Sequence, residues 1–358
     1  MPDELAAWLR LTLIPGIGGV GQRQLLKAFG SPAAIFAAPR SALGDAVGDT
    51  GAEQLLAHDC AAEVATALAW LAEPGNRILT LADAEYPRAL LDADDPPTLL
   101  YAKGRVELLN RPALAIVGSR SATAQGETNA REFAAALAEV GLTIVSGLAL
   151  GIDAAAHRGA LAAGGATIAV VGTGADRIYP SRNAGLARQI AEQGLLISEF
   201  PLGTPAMAAN FPRRNRVIAG LALGCLVVEA AERSGSLITA RLAAEAGREV
   251  FAIPGSIHSP QSRGCHKLIR QGAKLVESAR DVLEELRWPA PPAAADPTGI
   301  EEAAAASLLG SLGHDPVDLD TLTERTGLTA ERLLAMLVPL ELEGRVAQLP
   351  GGRYQRIH

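Results

Sequence analysis

The run Asn210–Gly220 reads NFPRRNRVIAG and sets Phe211 beside Arg213, Arg214, Asn215 and Arg216. A planar ring next to three guanidinium groups suits a single nucleic-acid strand: any base can stack on the ring, and the arginines pair with phosphates. Rings are scarce here, with 3 Trp, 4 Tyr and 6 Phe in 358 residues, so their placement carries information. The same segment also fits an arginine-rich first helical turn whose phenylalanine packs into the core.

A second set of residues follows a series of short apolar runs. It comprises Gly118-Ser119-Arg120, Ser146-Gly147, Gly172-Thr173-Gly174, Glu199-Phe200, Glu229 with Ser234-Gly235-Ser236, and Pro254-Gly255. If the runs are parallel strands, these residues meet beyond the strands' carboxyl ends, where such sheets bind ligands. Small residues there leave backbone amides free to hold a phosphate, although Ser234 or Ser236 would equally serve as a helix cap. The stretch GSRSATAQG lacks the GxGxxG dinucleotide fingerprint, and no GxxxxGK[ST], HExxH or GxSxG occurs. Asp153 and His157, four apart, either share a catalytic helix face or orient a turn locally. Glu199 and Glu229 are candidates for a carboxylate pair across strand ends.

The elements that must position these groups alternate. LAIVGS (114–119), LTIVSG (142–147), ATIAVVGTG (166–174), LLISEF (195–200), CLVVEA (225–230) and EVFAIPG (249–255) each precede an amphipathic stretch. Buried β-branched runs separated by helices predict an α/β fold, a doubly wound, mainly parallel sheet with helices on both faces. Residues 1–72 read instead as short helices around IPGIGG (Ile14–Gly19). This start resembles a SAM or helix-hairpin-helix unit, in which glycines let hairpin amides approach a phosphate. A compact bundle that needs a tight turn fits as well. Residues 73–287 form the sheet domain, with strand-like RILTL and TLLYA at its entrance. WPAPPAAADPTG (288–299) reads as a linker. Residues 300–358 offer three helical pieces and two strands around PGG, the recipe of a winged helix.

The chain carries a formal net charge of −7, unevenly spread. Residues 1–110 hold 8 basic and 14 acidic side chains, 111–287 hold 19 and 15, and 288–358 hold 5 and 10. A polyanion would therefore meet the middle of the chain. Cys60, Cys225 and Cys265 are too scattered for a disulfide framework or structural zinc, so no metal or cofactor is expected. No apolar run is long enough to span a bilayer and the start MPDELAAWLR is acidic, which predicts a cytoplasmic location with no membrane partner.

From Ala113 to about Leu286 the sequence resembles the DNA-processing protein A (DprA/Smf) family. The resemblance rests on IVGSR (116–120), VSGLALGIDAAAH (145–157), VVGTGADRIYP (170–180), LISEFPLGTP (196–205), NFPRRNRVIAGL (210–221) and VVEAAERSGSLITA (227–240). It implies a Rossmann-like domain that binds single-stranded DNA, dimerises and loads RecA recombinase in natural transformation, without catalytic turnover. Arg120 would then hold a phosphate, with Gly118 and Ser119 allowing close approach. Phe211, Arg213, Arg214 and Arg216 would line the DNA pocket, Ser234-Gly235-Ser236 would complete it, and Lys267 with Arg270 would lie further out. A lysine that some relatives carry before the Phe-Pro pair is missing from AMAAN (206–210). A nucleotide-processing enzyme resembling phosphoribohydrolases stands as the alternative on the same scaffold, with Glu229 as its carboxylate.

Overall fold

The computed structural model describes residues 2–289, 308–313, 315–342, 344–349 and 352–357. The chain divides into two compact units, split after Trp288.

The first unit is built on one nine-stranded sheet: β1 (Asn76–Thr80), β2 (Leu99–Gly104), β3 (Ala113–Val117), β4 (Thr143–Ser146), β5 (Thr167–Val170), β6 (Leu195–Ser198), β7 (Gly224–Val227), β8 (Glu249–Ala252) and β9 (Lys274–Leu275). Their spatial order is β1-β2-β6-β5-β4-β3-β7-β8-β9. All pairings from β6 to β9 are parallel, whereas β1–β2 and β2–β6 are antiparallel. Helices cover both faces, so β3 to β7 are buried along their whole length and read as continuous apolar runs.

Alternation along each strand feeds two cores. Val117, Val145 and Val227 pack on one face with Val217 and Ile218 of helix Asn210–Leu221. Ile116, Ile144 and Leu226 pack on the other with Phe133, Leu137 and Ala156, from helices Ala124–Glu139 and Ile152–Ala162. The chain leaves β3 towards β4 and later returns on β3's other side as β7. That reversal opens a crevice at the carboxyl ends of β3 and β7.

Five helices fill the start of the chain, from Pro2–Leu13 to Ala61–Leu71. They have a small core of their own around Leu25, Ile35 and Leu43. Trp8, Leu9 and Trp70, however, pack with Tyr101, Ala169 and Leu196 of the sheet. The helical segment expected as a separate domain is therefore joined to the sheet by a shared core. Trp288, expected to open the linker, also belongs to this unit: its Nε1 donates to Val140 O at 3.1 Å. The rest of that linker from 290 on lies outside the described residues, as does 300–307.

In the second unit, a helical stretch at 308–312 is followed by β10 (Val317–Asp318), helices Leu319–Thr326 and Ala330–Leu342, β11 (Val346–Leu349) and β12 (Arg353–Arg356). Asp318 caps the first of these helices by accepting from Thr321 N at 2.8 Å, and Gly327 ends it at φ 69°. The strands pair antiparallel in the order β10-β12-β11 over a core of Leu322, Leu333, Leu337 and Tyr354. This is the expected winged helix, with one short strand, β10, that the sequence reading did not anticipate.

Candidate nucleic-acid interface

A cavity of about 870 Å3 lies at the β3/β7 crevice. Its floor is the loop after β3. A Cβ at Gly118 would sit 2.6 Å from Ile152 Cγ1 and 2.8 Å from Glu229 O, so only glycine fits. Ser119 N donates to Glu229 O at 2.7 Å, and Ser119 O accepts from Ile152 N at 3.2 Å. Pinned from both flanks, the loop leaves Arg120 exposed, with its guanidinium carbon 5.3 Å from the centre of the Phe211 ring. The opposite wall is the Ser234-Gly235-Ser236 turn at the start of helix Ser236–Glu245. Neither serine side chain caps that helix; their hydroxyls bond each other at 2.8 Å.

Helix Asn210–Leu221 sorts the arginine cluster by its 3.6-residue period. Phe211, Arg214, Asn215 and Ile218 line the cavity. Arg213 and Arg216 do not; they line a separate cavity of about 440 Å3 against the hairpin residues Ile14–Gly19. There both pair with Glu199 Oε2, Arg213 at 3.1 Å and Arg216 at 2.5 Å. Arg216 also meets Asp95, which pairs in turn with Arg23 at 2.6 Å. The expected single pocket of three arginines is thus divided between two places.

Arg214 reaches the cavity from behind. It is buried, with Nη1 donating to Gly147 O at 2.6 Å and to Val170 O, and Nε donating to Asn215 Oδ1 at 3.1 Å. Ser146 and Gly147 sit behind it and do not line the cavity. The Ser146 hydroxyl donates to Ile116 O at 2.6 Å, and Gly147 lies flat against the Arg214 guanidinium. Lys267, on helix Arg263–Arg270, faces two neighbouring depressions instead.

Two cavity residues escaped the sequence reading. Arg233, exposed in the loop before Ser234, is a second surface cation and makes no ion pair among the described residues. Its signal was its place between Glu229 and the serines. Tyr179, in the loop after β5, has its ring centre 5.8 Å from that of Phe211. Among the lining residues three arginines face one carboxylate, Asp153, so the cavity favours an anion.

The carboxylates are committed elsewhere. Glu229 accepts from Thr123 N at 2.9 Å and Thr123 Oγ1 at 2.5 Å, which anchors the start of helix Ala124–Glu139. Glu199 is buried among its arginines; burial pushes its carboxyl up while Arg216 and Arg213 oppose the shift. The two glutamates have separate partners and form no pair. Asp153 accepts from Gly147 N at 3.1 Å and Ala149 N at 3.3 Å, and orients that turn. His157 contacts Thr167 Oγ1 at 2.7 Å. Since that hydroxyl donates to Ile144 O, the histidine's Nδ1 is the donor. Burial pushes His157 down to about 3, so it is neutral at physiological pH.

A Rossmann-like sheet with a glycine-serine loop, surface arginines and an aromatic ring at its switch point presents groups suited to a phosphate-bearing ligand. The family profile described as DNA recombination-mediator protein A matches residues 77–287, and one described as DprA winged helix domain matches 289–352. Protein Smf of Escherichia coli (strain K12) is 44% identical over 298 residues, which cover 81% of this chain and 80% of the relative. The X-ray structure of DNA processing protein A from Streptococcus pneumoniae matches with a TM-score of 0.70 at 39% identity, covering 80% of this chain and 98% of that one. DNA processing protein A from Helicobacter pylori, whose structure was described for its single-stranded DNA binding mode, matches with a TM-score of 0.54 at 31% identity, covering 59% and 96%. The chain belongs to the DNA recombination-mediator protein A family.

Proposed function

We propose that this protein binds single-stranded DNA in the β3/β7 cavity and, as a homodimer without catalytic turnover, passes the strand to RecA recombinase in natural transformation. The observation that carries the binding step is the Phe211 ring at the cavity wall beside exposed Arg120. A ring accepts any base, while Arg120, Arg233 and the amides of Gly118 and Gly235 are the groups offered to phosphates; Ser234 N and Ser236 N donate within the turn itself. Asn215 completes the wall. Arg214, Ser146 and Gly147 support it from behind, and Arg213, Arg216 and Lys267 lie off the direct path. RecA loading and dimerisation draw their support from family membership, and the Helicobacter relative supports the choice of ligand.

The experiment is a gel shift with oligothymidylate. The Arg120→Ala/Phe211→Ala variant should lose retention while its circular dichroism stays that of the parent; retention unchanged would refute the assignment. Wild-type affinity should also fall linearly with salt on logarithmic axes, as release of counterions from phosphates requires. For the RecA step, adding the protein should shorten the lag of RecA assembly on strand already coated by a single-strand binding protein. A nucleotide-processing reaction is disfavoured by Glu229, whose two carboxylate oxygens hold Thr123 rather than face the cavity. Incubation with nucleoside monophosphates should release no free base.

A further inference from the structure

Three large apolar side chains stand in solvent in the two segments that bring Tyr179, Ala206 and Ala208 to the cavity wall: Ile178 is 38% exposed, Tyr179 49% and Met207 51%. Tyr179 stands out because its loop is held firmly on both sides. Thr173 Oγ1 donates to Arg177 O at 2.6 Å, and Asp176 accepts from Gly203 N at 2.9 Å. Beyond the tyrosine, Asn183 Nδ2 donates to Leu148 O at 2.9 Å. A fixed backbone thus presents a ring that contributes little to any core. Its hydroxyl has no protein hydrogen-bond partner among the described residues, so hydrogen bonding does not explain its position either.

The ring lines the same cavity as Arg120 and Phe211. Its centre is 5.8 Å from that of Phe211, with the planes inclined at 40°. Bases laid flat on the two rings would be inclined to each other by a similar angle, too far from parallel to stack on one another, so each would stack on protein instead.

We propose that Tyr179 is a second base platform, which holds the nucleotide adjacent to the one on Phe211 and keeps the two bases unstacked. The inference rests on the reading of the cavity as a single-strand site. It deepens that reading by assigning the site a two-nucleotide step with bases splayed apart. Recognition is through ring faces, so the step tolerates any base sequence.

The test uses the full-length protein and short oligothymidylates with a single abasic position moved along the strand. Tyr179→Ala should weaken binding roughly tenfold, the range of one base–aromatic stack, and Tyr179→Phe should restore it. Wild-type binding should be sensitive to abasic substitution at two neighbouring positions. Tyr179→Ala should become insensitive at one of them and Phe211→Ala at the other. Because Tyr179 is half in solvent, thermal melting should show both tyrosine variants folded. Wild-type binding with Tyr179→Ala equally tight, or a Tyr179→Phe variant as weak as the alanine one, would overturn the platform alone. Wild-type protein that fails to bind oligothymidylate would overturn the cavity reading and the platform with it.

Discussion

Arg214 is only 4% exposed, yet it stays a cation: burial lowers it only to about 10. Its partners explain its use. It grips the carbonyls of Gly147 and Val170, while Asp153 takes the amides of Gly147 and Ala149. The turn so clamped ends at Gly151, with φ 72°, where a Cβ would lie 2.9 Å from Arg120 O. Two buried charged side chains, each bonded to the backbone of one turn, thus set the seat of the phosphate loop. Arg214→Lys, which lacks the planar fork, should cost about 2 kcal/mol in denaturant titrations and weaken DNA binding as well. Wild-type stability and affinity in that variant would refute the clamp. His157 predicts a pH effect of defined sign. Its folded-state value, about 3, lies below the ordinary 6.5, so the unfolded chain takes up a proton first. Its contribution is complete above pH 6.5 and is lost as pH falls towards 3, by up to about 1.4 kcal/mol per pH unit. His157→Gln should flatten the stability profile between pH 6.5 and 5. That Gly118, Ser119, Arg120 and Phe211 come to one cavity was legible, because strand ends and residue type alone point to them. Tyr179 was not, since it stands nine residues beyond the end of β5 and only the folded loop brings it to Phe211.

At the scale of elements, helix Asn210–Leu221 shows what a local motif conceals. Four polar residues in sequence suggest one patch, but a turn of roughly 100° per residue sends 211, 214 and 215 one way and 213 and 216 the other. The period was available in the sequence; the identity of the second partner was not, because Glu199, Asp95 and Arg23 come from three distant segments. Arg216 has a side chain only 16% exposed against Glu199 at 3%. Arg216→Met should therefore destabilise the fold by up to about 3 kcal/mol, since it strips a buried carboxylate of its main partner. Per folded molecule its DNA affinity should stay near wild type, in contrast to Arg120→Ala. A melting temperature unchanged by Arg216→Met would contradict this division of labour.

Across the whole molecule, the parallel sheet and its covering helices follow from alternating apolar runs, and they appear where those runs fall. The antiparallel edge of β1 and β2 was harder to read, because proline-rich turns set it apart and only its pairing with β6 identifies it. In the winged helix, Ala330–Leu342 exposes Leu334 at 40% and Val338 at 53% on one face, with Glu341 beside them in solvent. Such a face suits a protein partner better than a phosphate-lined groove. Deleting residues 300–358 should accordingly change duplex-DNA affinity less than twofold; a severalfold loss would assign this unit to DNA. The core that Trp8, Leu9 and Trp70 share with Tyr101 and Leu196 has a calorimetric consequence. Heated in a scanning calorimeter, residues 1–288 should absorb heat in a single peak in which the first five helices melt with the sheet, and the winged helix, with a core of its own, should give another.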